Sequence, residues 1–520
     1  MNAVGTDRLG REQRDPAGLR VRRWLPWLVL LALAGLLALQ AFAYAARLPL
    51  SLGPRVILEP WLLRQGYLLY EEIADLHSPL LPLLLSAMMP IFPDGLTMAK
   101  TVLVLTVSIS TFLTFLAGKR DGGWVGGLWA AWFFVVWSPT FVFGKLWHEA
   151  LLTPLYTLIL LSYDPSATRR SPRSLLWLGL LGGTALMVKQ HAIVVLAALV
   201  LWNAFAGRRL GRPVRAILRD TLLIGLAALL PLIAFVVYQV ARAGTLRGFL
   251  YWTLGYSLAG PYHAMAALRP SLRQLGTVAS AALLLPAAFL RWIERPRQDE
   301  GEWLRLGWGF VLLVTSAVTA YPRFHFSHLQ PALPILAWLS VWTLASALRG
   351  QRAARTFVAG VAVALSLFWA LTAGVGYRAV LGHEQQYVYE YSDLVPVAEQ
   401  VLRHTAPGER VFVFPDDEAT ANLYYLTHTL PPSPWIFTYP WYMMDWVEER
   451  ILDHLETRPP EWILYFPERW SIEQHAPRVV DYLAEAYRRD TPARVGAGTG
   501  LAAQARGLEG SPPDEHRPGA

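Results

Sequence analysis

Apolar runs long enough to cross a bilayer recur along most of this chain, and few folds accommodate that. A transmembrane helix needs roughly 20 apolar residues to span about 30 Å of hydrocarbon. About eleven such runs are read at residues 24–46, 96–117, 123–143, 147–163, 174–188, 191–206, 220–240, 274–290, 303–320, 329–347 and 356–377. Composition agrees: 54% of the 520 residues are hydrophobic and 16% charged, against about 25% charged in a soluble domain. An ordinary soluble enzyme and a disordered chain are both excluded. The absence of cysteine excludes a disulfide framework, a thiolate metal site and a cysteine nucleophile.

Arginine sets the expected orientation. Residues 1–377 carry 34 Lys and Arg against 16 Asp and Glu, whereas the remainder carry 12 against 22. Six arginines precede the first run, and alternate connections carry further clusters, so the N-terminus is placed in the cytoplasm and the chain after 377 outside. This basic excess suits loops facing anionic lipid, not nucleic acid. His77, His148, His191, His263, His325 and His328 then all fall at the outer rim, with Lys100, Lys145 and Lys189. That one-sidedness marks the outer face as the chemical one.

The expected architecture is an α-helical polytopic membrane protein with about eleven transmembrane helices and a C-terminal extracytoplasmic α/β domain. Its parts are a cytoplasmic tail (1–23), a transmembrane domain (24–380) with a first outer loop (47–95), the α/β domain (381–490) and a disordered tail (491–520). In the α/β region helices are read at 392–404, from the turn Pro415-Asp416-Asp417 through Tyr425, at 443–456 and at 475–489, and strands at 410–414, 435–438 and 462–466. No phosphate loop or GxGxxG motif occurs there.

The first outer loop carries the densest chemistry. Pro60 suits the first turn of a helix, Glu59 stands at its positively polarised start, and one helix is expected to run along the interface to Asp75. The Asp75-Leu-His77-Ser-Pro79 sequence ends it, and a second short helix is read from Pro79 to Phe92. Glu59, a helix, then Asp75-Leu-His77-Ser-Pro79-Leu80 resembles the first outer loop of the GT-C membrane glycosyltransferases. The likeness is nearest to bacterial lipopolysaccharide-core and lipid A sugar transferases and protein O-mannosyltransferases. Lys189-Gln190, breaking an apolar stretch, and Tyr321-Pro-Arg323-Phe-His325-Phe-Ser-His328 fit the same pattern.

The resemblance implies transfer of a sugar from a polyprenyl-phosphate lipid to a lipid, glycan or protein acceptor, at the outer face of a bacterial inner membrane, with no cofactor required. It makes Glu59 the general base, Asp75 its alternative or an acceptor-orienting group, and Glu149 the second acidic position of the family. His77, Lys189 and Arg323 are the groups for the donor phosphate, and Tyr67, Gln190, Tyr321, His325 and His328 are expected to line the substrates. A charge such as Lys189 in an apolar stretch is a functional hypothesis by default. Plainer readings stand beside these: Glu59 and Glu149 can complement helix dipoles, Lys189 can snorkel to the rim, and Arg323 can anchor topology. His325 and His328, three apart, could share a helical face and hold a divalent metal with a nearby carboxylate, the lesser alternative, since no HExxH or spaced carboxylate cluster occurs. A transporter of lipid-linked solutes, or a non-catalytic glycolipid-binding protein, is the alternative class. A transporter is expected to show midplane charges and related halves, and here the polar residues gather at one rim.

Overall fold

The computed structural model describes residues 16–505 except 143, 257–267, 295–298, 322, 350–351, 389–390, 417–419, 437, 468–470 and 496–497. Residues 1–15 and 506–520 of the two expected tails, and His263, lie outside the described residues.

Each of the eleven apolar runs lies on helical structure. Among the described residues six helices are long and apolar enough to cross a membrane, or seven if a bent pair (Leu272–Ala281 and Leu285–Ile293, 59° apart) is one span, and Leu80–Ile91, Pro172–Val188 and Thr356–Thr372 are shorter apolar helices. The segment Gly95–Val142 accounts for two runs. It breaks at Gly123, with φ 64° and ψ −164°, a backbone that only glycine adopts readily. The break folds the chain back on itself, bringing the Gly126 carbonyl within 2.7 Å of where a Gly118 Cβ would stand.

Tyr156, Leu178, Leu199, Trp308 and Trp338, from five different helices, meet in one buried cluster. Lipid tails are as apolar as leucine, so such helices are held by packing and inter-helix hydrogen bonds. Trp338 Nε1 donates to Asp121 (2.7 Å) and Trp342 Nε1 to Glu302 (2.9 Å).

After the last long helix, strands Val411–Phe414 and Trp462–Tyr465 pair in parallel. Both are unbroken apolar runs, as expected of strands covered on both faces. The helices Tyr391–Val401, Asp445–Thr457 and Pro477–Ala486 match three of those expected there within a few residues, and the one read through Tyr425 is Asn422–Thr427. Trp435 and Ile436, read as strand, take irregular backbone. Residues 491–495 and 498–505, read as tail, belong to strands Tyr487–Val495 and Gly498–Ala505, the second pairing with Trp462–Tyr465. Main-chain pairing satisfies backbone groups without large side chains, so an alanine- and glycine-rich stretch gives little apolar signal for it.

The first outer loop is stitched to this C-terminal part. Leu50–Ser51 pairs in parallel with Tyr387–Val388. Asn422 Nδ2 donates to the Leu52 carbonyl (2.6 Å), the Gly95 amide donates to the Tyr425 hydroxyl (3.0 Å), and the Ala74 amide donates to the Pro434 carbonyl (3.1 Å). On the other side, the Ser51 amide donates to the Gly144 carbonyl (3.0 Å). Gly144 has φ +62°, and a Cβ there would stand 1.5 Å from the Pro49 carbonyl oxygen. Gly144→Ala is therefore expected to destabilise the protein by about 1–3 kcal/mol, read as a lowered thermal midpoint in detergent; an unchanged midpoint would show that this strap yields freely.

Candidate active site

The loop helix is shorter than its sequence suggests. It covers only Leu58–Arg64, closing at Gln65, and Gly66 (φ 97°) and Tyr70 (φ 71°) turn the chain into an irregular path. Leu58, Leu62, Leu69, Ile73 and Leu76, spaced as one apolar stripe of a helix in the interface plane, are instead buried within the protein, and the last three sit on this path and not on helix. Three side chains fix the path: Tyr70 Oη donates to the His77 carbonyl (2.6 Å), Gln190 Nε2 to the Leu76 carbonyl (2.7 Å) and Gln239 Nε2 to the Leu69 carbonyl (3.0 Å). Asp75 is thus delivered by pinned coil.

Glu59 and Asp75 are both fully buried, on either side of Arg55, itself 5% exposed. Arg55 Nε donates to Asp75 Oδ1 at 3.0 Å and stands 3.9 Å from Glu59 Oε1. Asp75 Oδ1 also receives the His77 amide (3.2 Å) and lies 3.0 Å from His77 Nδ1. Neither Glu59 oxygen accepts a hydrogen bond among the described residues.

The two carboxyls are pushed apart. Burial, then the Asp75 charge, raises Glu59 well above the usual carboxylate range against the pull of Arg55. Burial also acts to raise Asp75, but Arg55 and then His77 more than offset it and hold that carboxyl below its ordinary value. His77 is pushed down, first by burial and then by Arg55. Carboxyls driven in opposite directions by their surroundings are the pattern of sites that divide proton-holding and charge-holding roles.

A second buried group stands beside the first. Glu149, in the first turn of His148–Ser162, is fully buried; Lys189 Nζ donates to its Oε1, and His328 Nδ1 lies 2.6 Å from the same oxygen. Lys189 caps the helix Pro172–Val188, so three separate elements converge there. The two groups touch through stacked imidazoles, His77 and His148, with centroids 4.4 Å apart and planes 11° from parallel. Neither His148 ring nitrogen has a hydrogen-bond partner among the described residues. Glu59, Asp75, His77, Glu149, Lys189, Gln190 and His328 therefore form one continuous polar centre in an apolar shell.

The remaining expected residues lie around it. His325 caps the turn before its helix through Ser327 (2.8 Å), and burial and then Lys145 lower its ring to about 4. Arg323 lies over the Trp441 ring at 5.8 Å, Tyr321 is 69% exposed, and Tyr67 lines a separate cavity. No group of three or more His, Asp or Glu with metal-binding geometry occurs among the described residues. Arg55 and His148 were missed as site residues. Arg55 had a signal, a lone charge four residues before Glu59 in an otherwise apolar stretch; His148 had none beyond its adjacency to Glu149.

No protein-family model matches the sequence, and no curated protein matches it either. Solved structures do match. ArnT from Cupriavidus metallidurans, bound to undecaprenyl phosphate, superposes with TM-score 0.61 at 13% identity, over 94% of this chain and 99% of that one. The chain has the GT-C fold. GT-C neighbours of other kinds agree. The Archaeoglobus fulgidus oligosaccharyltransferase AglB, in complex with an inhibitory peptide and a dolichol-phosphate, gives 0.53 at 12% identity, over 92% of this chain and 74% of that one. The mycobacterial arabinofuranosyltransferase AftD gives 0.52 at 15%, over 93% and 40%. At these identities it is the GT-C backbone that is shared.

Proposed function

We propose that this protein is a membrane glycosyltransferase that moves a sugar from a polyprenyl-phosphate lipid to an acceptor hydroxyl at the extracytoplasmic face of a bacterial inner membrane. The observation that carries this is the pair of buried carboxyls, Glu59 and Asp75, divided by Arg55 and driven in opposite directions, on a GT-C fold. In this reading the chain crosses about eleven times, with its N-terminus in the cytoplasm and residues 381–490 outside as an α/β domain.

Glu59 is the general base. Its raised affinity for a proton suits it to accept one from the acceptor hydroxyl, once it has itself ionised beside Arg55. The acceptor oxygen then bonds to the anomeric carbon, the bond from that carbon to the phosphate oxygen breaks, and its electron pair stays on the lipid phosphate. Asp75, kept ionised, anchors Arg55 and His77 so that charge and geometry are set before substrate arrives. Lys189, Arg323 and His77 are assigned to the departing phosphate, with Arg55 added from its position. Side-chain cations supply that charge, and no metal is required. Glu149 holds Lys189; Gln190, Tyr321, His325, His328 and Tyr67 border the substrates.

The test is direct. Purified protein incubated with undecaprenyl phosphate is expected to retain one lipid in native mass spectrometry, and lipid extracted from fresh membranes-purified protein to include a polyprenyl-phosphate sugar. Failure to bind undecaprenyl phosphate, together with a co-purifying lipid pool free of polyprenyl phosphates, would remove the donor assignment.

A further inference from the structure

A cavity of about 650 Å³, apart from the polar centre, lies between residues 65–74, the helical segment around Arg247–Trp252 and residues 430–458. That is the size of a site for a small molecule. Arg247, Arg410, Arg450 and Arg458 line it, all exposed, and no ion pair engages any of the four among the described residues. Its two carboxylates are already committed to backbone: Glu71 accepts the Gly248 amide (3.1 Å) and Glu72 the Leu68 amide (2.8 Å). With four arginines against two carboxylates that already accept backbone amides, the cavity presents an excess of positive charge.

Its walls are aromatic. Tyr67, Tyr251, Trp252, Trp435 and Trp446 contribute rings, and Arg450 lies over Trp446 at 5.9 Å. Guanidinium forks match carboxylate and phosphate oxygens bidentately, while Trp and Tyr offer apolar faces with a polar tip. Ala74, the residue before Asp75, and Tyr70, whose hydroxyl donates to the His77 carbonyl (2.6 Å), are both part of the lining, so the cavity shares the segment that carries Asp75 and His77.

We infer that this cavity holds the acceptor, and that the acceptor is a glycan carrying anionic substituents, phosphate or carboxylate. The inference rests on the transferase reading, and its test does not depend on turnover. The full chain in detergent is titrated with glucose 6-phosphate, glucuronate, glucose and inorganic phosphate by isothermal calorimetry. At least one anionic sugar is expected to bind at least tenfold more tightly than glucose and than inorganic phosphate, and the tighter of the two identifies the substituent. Arg410→Ala with Arg450→Ala, both at exposed positions, is expected to weaken that binding at least tenfold and to leave undecaprenyl phosphate binding unchanged. Equal binding of glucose, equal binding of inorganic phosphate, or full binding by the double variant would overturn the inference. Failure of the unsubstituted chain to bind undecaprenyl phosphate counts against the transferase reading alone and leaves the sugar titration interpretable.

Discussion

Glu59→Gln is expected to fold normally and to lose sugar transfer by about 10²–10⁴-fold, the range for removing a positioned general base. Both halves of that expectation come from the same geometry. Glu59 is fully buried, accepts no hydrogen bond among the described residues and is driven above the usual carboxylate range by burial, so its surroundings favour the uncharged form. Glutamine has that shape and charge, and Arg55 keeps Asp75 as its 3.0 Å partner. Thermal unfolding is therefore expected to shift little while the transfer rate collapses. The pH profile of the unsubstituted protein supplies a second readout. A base whose folded value is raised is available only above that value, so transfer rises with pH through a midpoint above the ordinary carboxylate range and is lost as pH falls. A rate that stays flat through that range, or a Glu59→Gln variant that still transfers, would take Glu59 out of the reaction.

Lys189→Met is expected to act on stability first. Glu149 is fully buried and its charge is met by Lys189 and His328. Removing the ammonium leaves a carboxylate in an apolar shell with one imidazole, and breaking a buried pair from one side costs on the order of 3–5 kcal/mol. The sign of the companion experiment is opposite. Glu149→Gln combined with Lys189→Met removes both charges, and much of the lost stability is expected to return. The double-mutant cycle measures this directly, by thermal midpoints in detergent. Two losses that simply add would mean that Glu149 and Lys189 are not coupled, and would return Lys189 to the snorkelling role.

The helical membrane fold was legible because its signal is long. Eleven apolar runs predict helices wherever they occur, and each lies on helical structure. Where the signal was short, the reading failed in an instructive way. The stripe from Leu58 to Leu76 has helical spacing, yet only Leu58–Arg64 is helix; burial alone does not say whether apolar residues are delivered by helix or by pinned coil. The site was legible residue by residue but not as a whole. Glu59, Asp75 and His77 stood in one motif, whereas the contact of His328 with Glu149 spans 179 residues, a distance over which no local pattern operates. Arg55 sits between two acids it can serve, and only packing shows that it serves both.

The ties between the first loop and the far end of the chain also bear on biosynthesis. Leu50 pairs with Tyr387, Leu52 is held by Asn422, and Ala74 by Pro434. When the loop bearing Glu59 and Asp75 leaves the ribosome, the partners that hold it in shape, 337 to 370 residues beyond the positions they hold, are still untranslated. Through most of synthesis those acids are in place along the polypeptide but not yet assembled, so a nascent chain stalled before Pro434 would carry the whole motif without the means to use it.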